Sequence, residues 1–243
     1  MYEWESNIRY SEVDADCQLT MLALLDYFQD TTAAQSELLG IGVDYLKEHG
    51  LAWLLTNWQI CVNRMPRLTE HVRIRTMPYE LKGFYGLRNF DMLSESGEVL
   101  AYANTIWVMT DIQKGRPTRI PEELGSKYVL EQKLDMDYCS RRLEQPACYE
   151  EAEGLIVPAY FIDSNHHMNN SRYVEVAQEF LPEDFRIGEL QVEYKKEAMA
   201  GEMIYPRISR STENGKGCIT VVIVNEKAQP HAIVRFLEQQ ADM

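Results

Sequence analysis

The feature that most constrains this chain is an internal repeat. Laying VDADCQLT (13–20) over IDSNHHMN (162–169) puts Asp14 on Asp163, Asp16 on Asn165, Gln18 on His167 and Thr20 on Asn169, and both segments then enter a helical pattern. Downstream, WQICVNRMPRLTEHV overlays LQVEYKKEAMAGEMI, matching Gln59 with Gln191, Arg64 with Lys196 and Glu70 with Glu202. A repeat of this kind restricts the fold before any local detail does, because whatever one half forms the other must form too.

The elements follow from periodicity and caps. MLALLDYFQDTTAAQSELLG reads as a helix starting after the cap Thr20 and ending at Gly40, with Leu24, Leu25, Phe28, Leu38 and Leu39 as its apolar stripe and most of its surface buried. DYLKEHG is a second, short helix closing at Gly50. LAWLLTNWQICV, HVRIRTMPY, FYGLRNFDML and VLAYANTIWVMT are rich in aromatic and β-branched residues and read as antiparallel strands, with SESGE as a turn. The second half gives LIVPAYFID as a strand and SRYVEVAQEFL as a helix stopping at Pro182. GELQVEYKKEA, EMIYPRISRS, CITVVIVN and HAIVRFLEQ follow as strands. Between the halves, a Pro- and charge-rich stretch reads as a linker with a short helix near PEELGSKY. The expected layout is an N-terminal repeat at 1–125, a linker at 126–154 and a C-terminal repeat at 155–243.

Composition narrows function. With 45 % hydrophobic and 26 % charged residues the chain is an ordinary globular one, and no run approaches the roughly 18 apolar residues of a membrane span. The net charge of −14 argues against general nucleic-acid binding, which depends on Lys and Arg neutralising phosphates. MYEWESNIRY shows neither a signal nor a transit pattern, so a cytoplasmic location is expected. The five cysteines, Cys17, Cys61, Cys139, Cys148 and Cys218, are scattered without zinc-ligand spacing and read as reduced thiols; no metal or cofactor is implied.

Chemistry points to the second copy of the repeat. Asp163, Asn165, His166, His167, Asn169 and Asn170 crowd eight positions. Short polar side chains can cap the helix that follows, but the first copy achieves that with Asp14, Asp16 and Gln18 and has no histidine there. An imidazole titrates near neutrality, so His167 at the position of Gln18 suggests proton transfer. In an extended segment His166 points away from His167 and reads as a surface or packing residue.

The string Asp163-x-Asn165-x-His167-x-Asn169-Asn170-x-x-Tyr173, followed by Glu193-Tyr194-Lys195-Lys196-Glu197, resembles the fatty acyl-acyl carrier protein (ACP) thioesterases of plants and bacteria. The IRYSEVDADCQLT stretch, RPTRIP (116–121) and the doubled layout extend the resemblance over the whole chain. It implies an α+β double hotdog fold, tandem repeats of a long helix wrapped by antiparallel sheet, and hydrolysis of the thioester joining a fatty acyl chain to its carrier protein. It also implies that Asp163, Asn165, His167 and Glu197 are catalytic. Many family members carry a Cys directly after the Glu; here it is Ala198, so a Cys–His mechanism gives way to carboxylates, His167 and water. Asn165 and a backbone N–H near Asn169 and Asn170 would face the oxyanion.

Two other readings stay open at this point: an acyl-CoA thioesterase, and a non-catalytic module that binds acyl chains or acyl carriers. A hotdog dehydratase would use a different His and carboxylate arrangement. Trp53, Trp58, Phe84, Tyr85 and Trp107 read as core, adjoining any acyl pocket. Arg64, Arg67, Arg73, Arg75, Lys82, Arg88, Arg172, Lys195 and Lys196 read as a solvated face, a subset of which could dock an acidic carrier. The doubled fold provides within one chain the pairing that single repeats obtain by dimerising, so monomer and homodimer are both compatible.

Overall fold

The computed structural model describes residues 1–163 and 166–239, and the chain divides into two compact units. One comprises Met1–Thr56 and Val62–Tyr138; the other comprises Asn57–Cys61 and the chain from Cys139 onward. The first unit opens with a strand outside the expected set, β1 (Tyr2–Asn7), which is short and has no β-branched residue. Tyr2, Trp4 and Ser6 turn inward while Glu3 and Glu5 face solvent, as on an edge strand.

Helix α1 (Met21–Leu38) is capped as expected, with the Thr20 hydroxyl accepting from the Ala23 N–H at 3.1 Å. Leu24, Leu25, Phe28, Thr31 and Gln35 form its buried face, and Phe28 packs on Phe90 at 5.1 Å between ring centres. Leu38 departs from the expected stripe and is 73 % exposed. At about 100° per residue it sits well round the helix from Phe28, and with Asp26 and Asp30 also exposed the helix is buried on one face, not on most of its surface. Helix α2 (Val43–Glu48) follows. Strands β2 (Leu51–Val62), β3 (His71–Lys82), β4 (Tyr85–Ser94) and β5 (Val99–Asp111) are antiparallel. In this unit the order is β1-β3-β4-β5-β2; β6 (Arg116–Pro117) pairs the end of β5, and α3 (Glu122–Gly125) is the short helix expected near PEELGSKY.

In the second unit LIVPAYFID does not form a strand over its length. Only β8 (Leu155–Ile156) does, because Pro158 has no N–H to donate and the chain turns through a single 3-10 turn at Ala159–Phe161. Helix α4 (Asn170–Gln178) is shorter than the run to Pro182 suggested. Strands β9 (Ile187–Tyr194), β10 (Met203–Glu213), β11 (Lys216–Val224) and β12 (Pro230–Glu238) form the sheet. Its order is β9-β12-β11-β10, with Asn57–Cys61 pairing β9 at one edge and β7 (Glu150–Glu151) pairing β10 at the other.

The two units repeat many of each other's backbone bonds. Val13 bridges Leu19 as Ile162 bridges Met168. The Asp14 N–H donates to the Gln18 carbonyl at 2.8 Å and the Asp163 N–H to the His167 carbonyl at 2.9 Å. Thr20 donates to Glu12 as Asn169 donates to Phe161, and Leu19 to Pro66 as Met168 to Ala198. Even the left-handed residue at the loop tip recurs, Cys17 at φ +58 and His166 at φ +66.

The stretch read as a linker is held by buried polar side chains. Asn89 Oδ1 accepts from the Leu134 N–H and the Tyr138 hydroxyl in the first unit. In the second, Gln59 Oε1 takes the Cys139 N–H at 2.9 Å and Glu193 Oε2 takes the Leu143 N–H at 2.8 Å. These bonds satisfy backbone donors that an irregular segment cannot pair by itself.

Candidate active site

The expected catalytic residues come from two loops of the second unit. Asp163 and His167 lie on the loop entering α4, and Glu197 lies on the loop between β9 and β10. The bond from Met168 N–H to the Ala198 carbonyl, 2.9 Å, ties the loops together, so His167 and Glu197 are each one residue from the tie. His167 Nδ1 stands 4.0 Å from Glu197 Oε1, with 35 % and 51 % of the side chains exposed. That separation is beyond a direct hydrogen bond and suits a bridging water.

Tyr173, one turn into α4, supports the same loop. Its buried hydroxyl accepts from the Ala198 N–H at 2.9 Å, and its ring meets Tyr194 edge-on at 5.7 Å. Burial raises its pKa well above the usual phenol value, and the charges of Glu197, Glu202 and Asp163 push the same way. The phenol is therefore neutral, and three carboxylates gather round it. Tyr194 in turn donates to the Asn170 carbonyl at 2.8 Å, fixing the first turn of α4 to β9.

His231 is a residue that motif reading does not reach. It is fully buried on β12. Its Nδ1 lies 3.0 Å from the Lys196 carbonyl, and its own carbonyl accepts from the Lys195 and Lys196 N–H groups at 2.8 and 3.2 Å. Its Nε2 is 3.1 Å from Glu202 Oε1, within ion-pair distance but not aligned as a hydrogen bond. Both ring nitrogens thus face the loop that carries Glu197.

Comparison of the two units shows what is special here. In the first unit Asn63 and Arg64 donate to the Leu100 carbonyl where Lys195 and Lys196 donate to that of His231. The shared backbone bonds place Gln18 opposite His167, Met65 opposite Glu197, Pro66 opposite Ala198, Leu24 opposite Tyr173 and Leu100 opposite His231. One scaffold carries titratable groups in the second unit and inert ones in the first. Glu70, opposite Glu202, is gripped by Arg64 Nη2 at 2.8 Å, and Arg64 also reaches Glu98, so its network is closed.

The other expected residues are placed as follows. Asn165 lies outside the described residues. Asn169 is the N-cap of α4: its Oδ1 accepts from the Ser171 N–H and hydroxyl, both at 3.0 Å, and its own N–H is taken by Phe161. Its Nδ2 has no acceptor among the described residues. Asn170 is the first residue of α4 and offers its carbonyl to Tyr194. His166 is exposed. Burial pushes the Cys139 thiol up to about 11, with Glu189 adding to the shift, so it is not poised as a thiolate, and Cys218 is buried in β11. Among the described residues no helix is long and apolar enough to cross a membrane.

Known proteins share this architecture. An acyl-ACP thioesterase from Bacteroides thetaiotaomicron superposes with a TM-score of 0.88 at 20 % identity, over 98 % of this chain and 97 % of that one. The 12:0-ACP thioesterase from Umbellularia californica superposes at 0.83 and 19 % identity, over 97 % and 95 %. These likenesses establish the double hotdog fold. In sequence, an acyl-[acyl-carrier-protein] hydrolase of Cuphea viscosissima is 28 % identical over 79 % of this chain and 50 % of its own length. A palmitoyl-acyl carrier protein thioesterase of Gossypium hirsutum is 27 % identical over 88 % and 56 %. The chain spans about half the length of these curated relatives. The profile of the acyl-ACP thioesterase N-terminal domain matches residues 1–128 and that of the C-terminal domain residues 147–236, so the chain belongs to the acyl-ACP thioesterase family.

Proposed function

We propose that this chain hydrolyses the thioester of fatty acyl-ACP, releasing the fatty acid and ending elongation, with the second unit as the catalytic half and the first as the acyl-binding half. The observation that carries the reading is the asymmetry of the repeat: His167 and Glu197 stand within one water's reach on a backbone whose first copy holds Gln18 and Met65. In the mechanism that follows, Glu197 and His167 orient a water, and His167 takes its proton as the water oxygen bonds the carbonyl carbon. The carbonyl electron pair moves onto oxygen, where Asn169 Nδ2 and Asn165 donate to it; one such donor contributes on the order of 3 kcal/mol in comparable sites. Collapse of the tetrahedral species breaks the C–S bond, and the departing thiolate recovers the proton from His167. Asp163 holds the loop and the imidazole in place. With Ala198 after Glu197 and Cys139 neutral, the nucleophile in this reading is water and not a cysteine, direct attack by Asp163 to give an anhydride being the less favoured route.

The test is release of free thiol from acyl-ACP and acyl-CoA thioesters of several lengths, with Asp163→Asn, His167→Ala and Glu197→Gln beside the unaltered chain. A positioned base contributes roughly 10²- to 10⁴-fold, which is the loss expected of His167→Ala and Glu197→Gln. Unchanged turnover in all three variants refutes the site, absence of hydrolysis refutes the enzyme, and a preference for CoA moves the substrate to the other pantetheine carrier.

A further inference from the structure

Arg88 does not lie on a solvated face as its sequence context suggests. It sits on β4 facing α1 and is only 6 % exposed. Its Nη1 donates to Gln35 Oε1 at 2.5 Å and to Thr76 Oγ1 at 2.8 Å, and its guanidinium carbon is 5.6 Å from the centre of the Tyr128 ring. The Nε–H and the two Nη2–H donors find no acceptor among the described residues. No carboxylate among them acts on the guanidinium; burial lowers its pKa to about 10, which leaves it charged at neutral pH. The Nε and Nη2 atoms are not among the unpaired side-chain nitrogens sealed from solvent, so these donors keep some accessibility, and a largely buried cation without a counter-charge leaves them open to a partner.

The fold itself does not require that charge. Ile74 pairs Met92, and Thr76 pairs Phe90, in the register in which Pro206 pairs Ile223 and Ile208 pairs Val221. One step further, the position of Arg88 is occupied in the second unit by Ile219, and its cross-strand neighbour Thr105 by Phe236. The second unit thus closes the same layer with buried apolar side chains. In the first unit the layer adjoins Phe90 and Met92, beside Ala101 and Ala103, whose small side chains leave the helix-facing side of β5 low.

We propose that Arg88 is a recognition site for a hydrogen-bond-accepting oxygen carried on the acyl chain, a hydroxyl, oxo or second carboxyl group. The preferred substrate is then an oxygen-bearing acyl thioester instead of a plain saturated one. This rests on the first unit lodging the acyl chain, as proposed above. An oxygen reaching the Nε and Nη2 donors completes the guanidinium's bonds, whereas a plain chain of the same length leaves them unpaired. Sites built to bond an oxygen discriminate strongly against the analogue that lacks it, for this reason.

The experiment is calorimetric binding of non-hydrolysable pantetheine thioether analogues with plain, hydroxyl-bearing and carboxyl-bearing chains. It compares the unaltered protein with Arg88→Met and with the double variant Thr76→Ile/Arg88→Ile, which copies the pair that the second unit already folds with. The expected result is tighter binding of an oxygen-bearing chain by about tenfold or more, lost in both variants. Equal or tighter binding of the plain chain by the unaltered protein overturns the proposal, as does a preference that survives loss of Arg88. In either case thiol release from plain acyl-ACP leaves the hydrolase reading standing. If no analogue binds and no thioester is hydrolysed, both readings fall.

Discussion

Replacing Tyr173 by Phe tests whether the Glu197 loop is held from α4. The substitution keeps the ring and its edge-on contact with Tyr194 at 5.7 Å, and removes only the hydroxyl that accepts the Ala198 N–H at 2.9 Å. Ala198 is fully buried, so its N–H has no water to turn to. Stranding a buried donor costs about 1–3 kcal/mol, more than the net value of an ordinary hydrogen bond. For a chain of this size about 2 kcal/mol corresponds to a Tm lower by roughly 4–8 °C. The first unit supplies the control: there Leu24 and Pro66 hold the corresponding positions, so neither hydroxyl nor N–H exists. Ala198→Pro should therefore cancel the penalty, and Tyr173→Phe should be nearly neutral in that background. The assay is a double-mutant cycle on the urea midpoint, with kcat and KM measured on the same four proteins. Coupling of about 1 kcal/mol or more is expected, together with a kcat loss at little-changed KM, because Glu197 is adjacent to the released amide. If Tyr173→Phe costs nothing, or costs the same with Pro at 198, the bond does not hold the loop.

His231→Leu, which copies the first unit's Leu100, should fold yet lose most of its kcat with KM kept. His231→Asn, which can still donate to the Lys196 carbonyl, should recover a good part of it; equal loss in both variants would mean that only ring volume matters. Glu12 supplies a pH effect. Burial alone raises its pKa, but bonds from the Arg9 side chain and backbone and from the Tyr27 hydroxyl outweigh this and hold it below 4.5. A depressed folded-state value means stability that is present above about pH 4.5 and lost as pH falls through the folded pKa. The stability gap between the unaltered chain and Glu12→Gln should therefore shrink as pH falls below about 4.5 in urea titrations, and a gap independent of pH would show that the carboxylate is not the source. Alkylation with iodoacetamide should label exposed Cys17 and Cys148 at neutral pH while Cys139 lags, and thiol release should persist; inactivation that tracks a single labelled thiol would revive a cysteine nucleophile.

Much of the fold was legible because its signals are local. Thr20 and Asn169 announce helix starts, the four aromatic and β-branched runs of the first half became β2 to β5, and the repeat predicted that one half would copy the other. The failures have physical causes. β1 alternates in period 2 but is short and has no β-branched residue, and LIVPAYFID has strand composition but a proline where a ladder donor is needed. At the candidate site, His167 stood out in the sequence by its contrast with Gln18 in the other copy, while Asp163 and Glu197 were expected from the family resemblance. His231 did not stand out: a single histidine in an apolar strand looks the same whether it faces solvent, core or a candidate catalytic loop, and only the pairing of β12 with β9 brings it to Lys196. Arg88 was misjudged for the same reason, since arginine composition reads as surface until its register places it under α1.

The comparison of the units also bears on how a site of this kind can be divided between scaffold and chemistry. Most of the backbone bonds that shape the two loops are present in both copies, the pairing of Cys17 and Gln18 with Leu68 and Arg67 being one found in the first, so the shared loop geometry belongs to the fold and carries no catalytic information by itself. The differences fall in complementary sets. Tyr173 has a hydroxyl where Ala198 has an N–H, while Leu24 lacks the one where Pro66 lacks the other. Arg64 neutralises Glu70 in the first unit; in the second the corresponding Glu202 faces His231, and Lys196, in Arg64's place, is exposed. Each set is self-consistent, because a buried polar group introduced without its partner is penalised by more than the pair contributes. In the proposed site His167 and Glu197 are accompanied by Tyr173 and His231, whereas the first unit carries Pro66, Leu24 and Leu100 on a similar backbone, with nothing left to titrate at those positions.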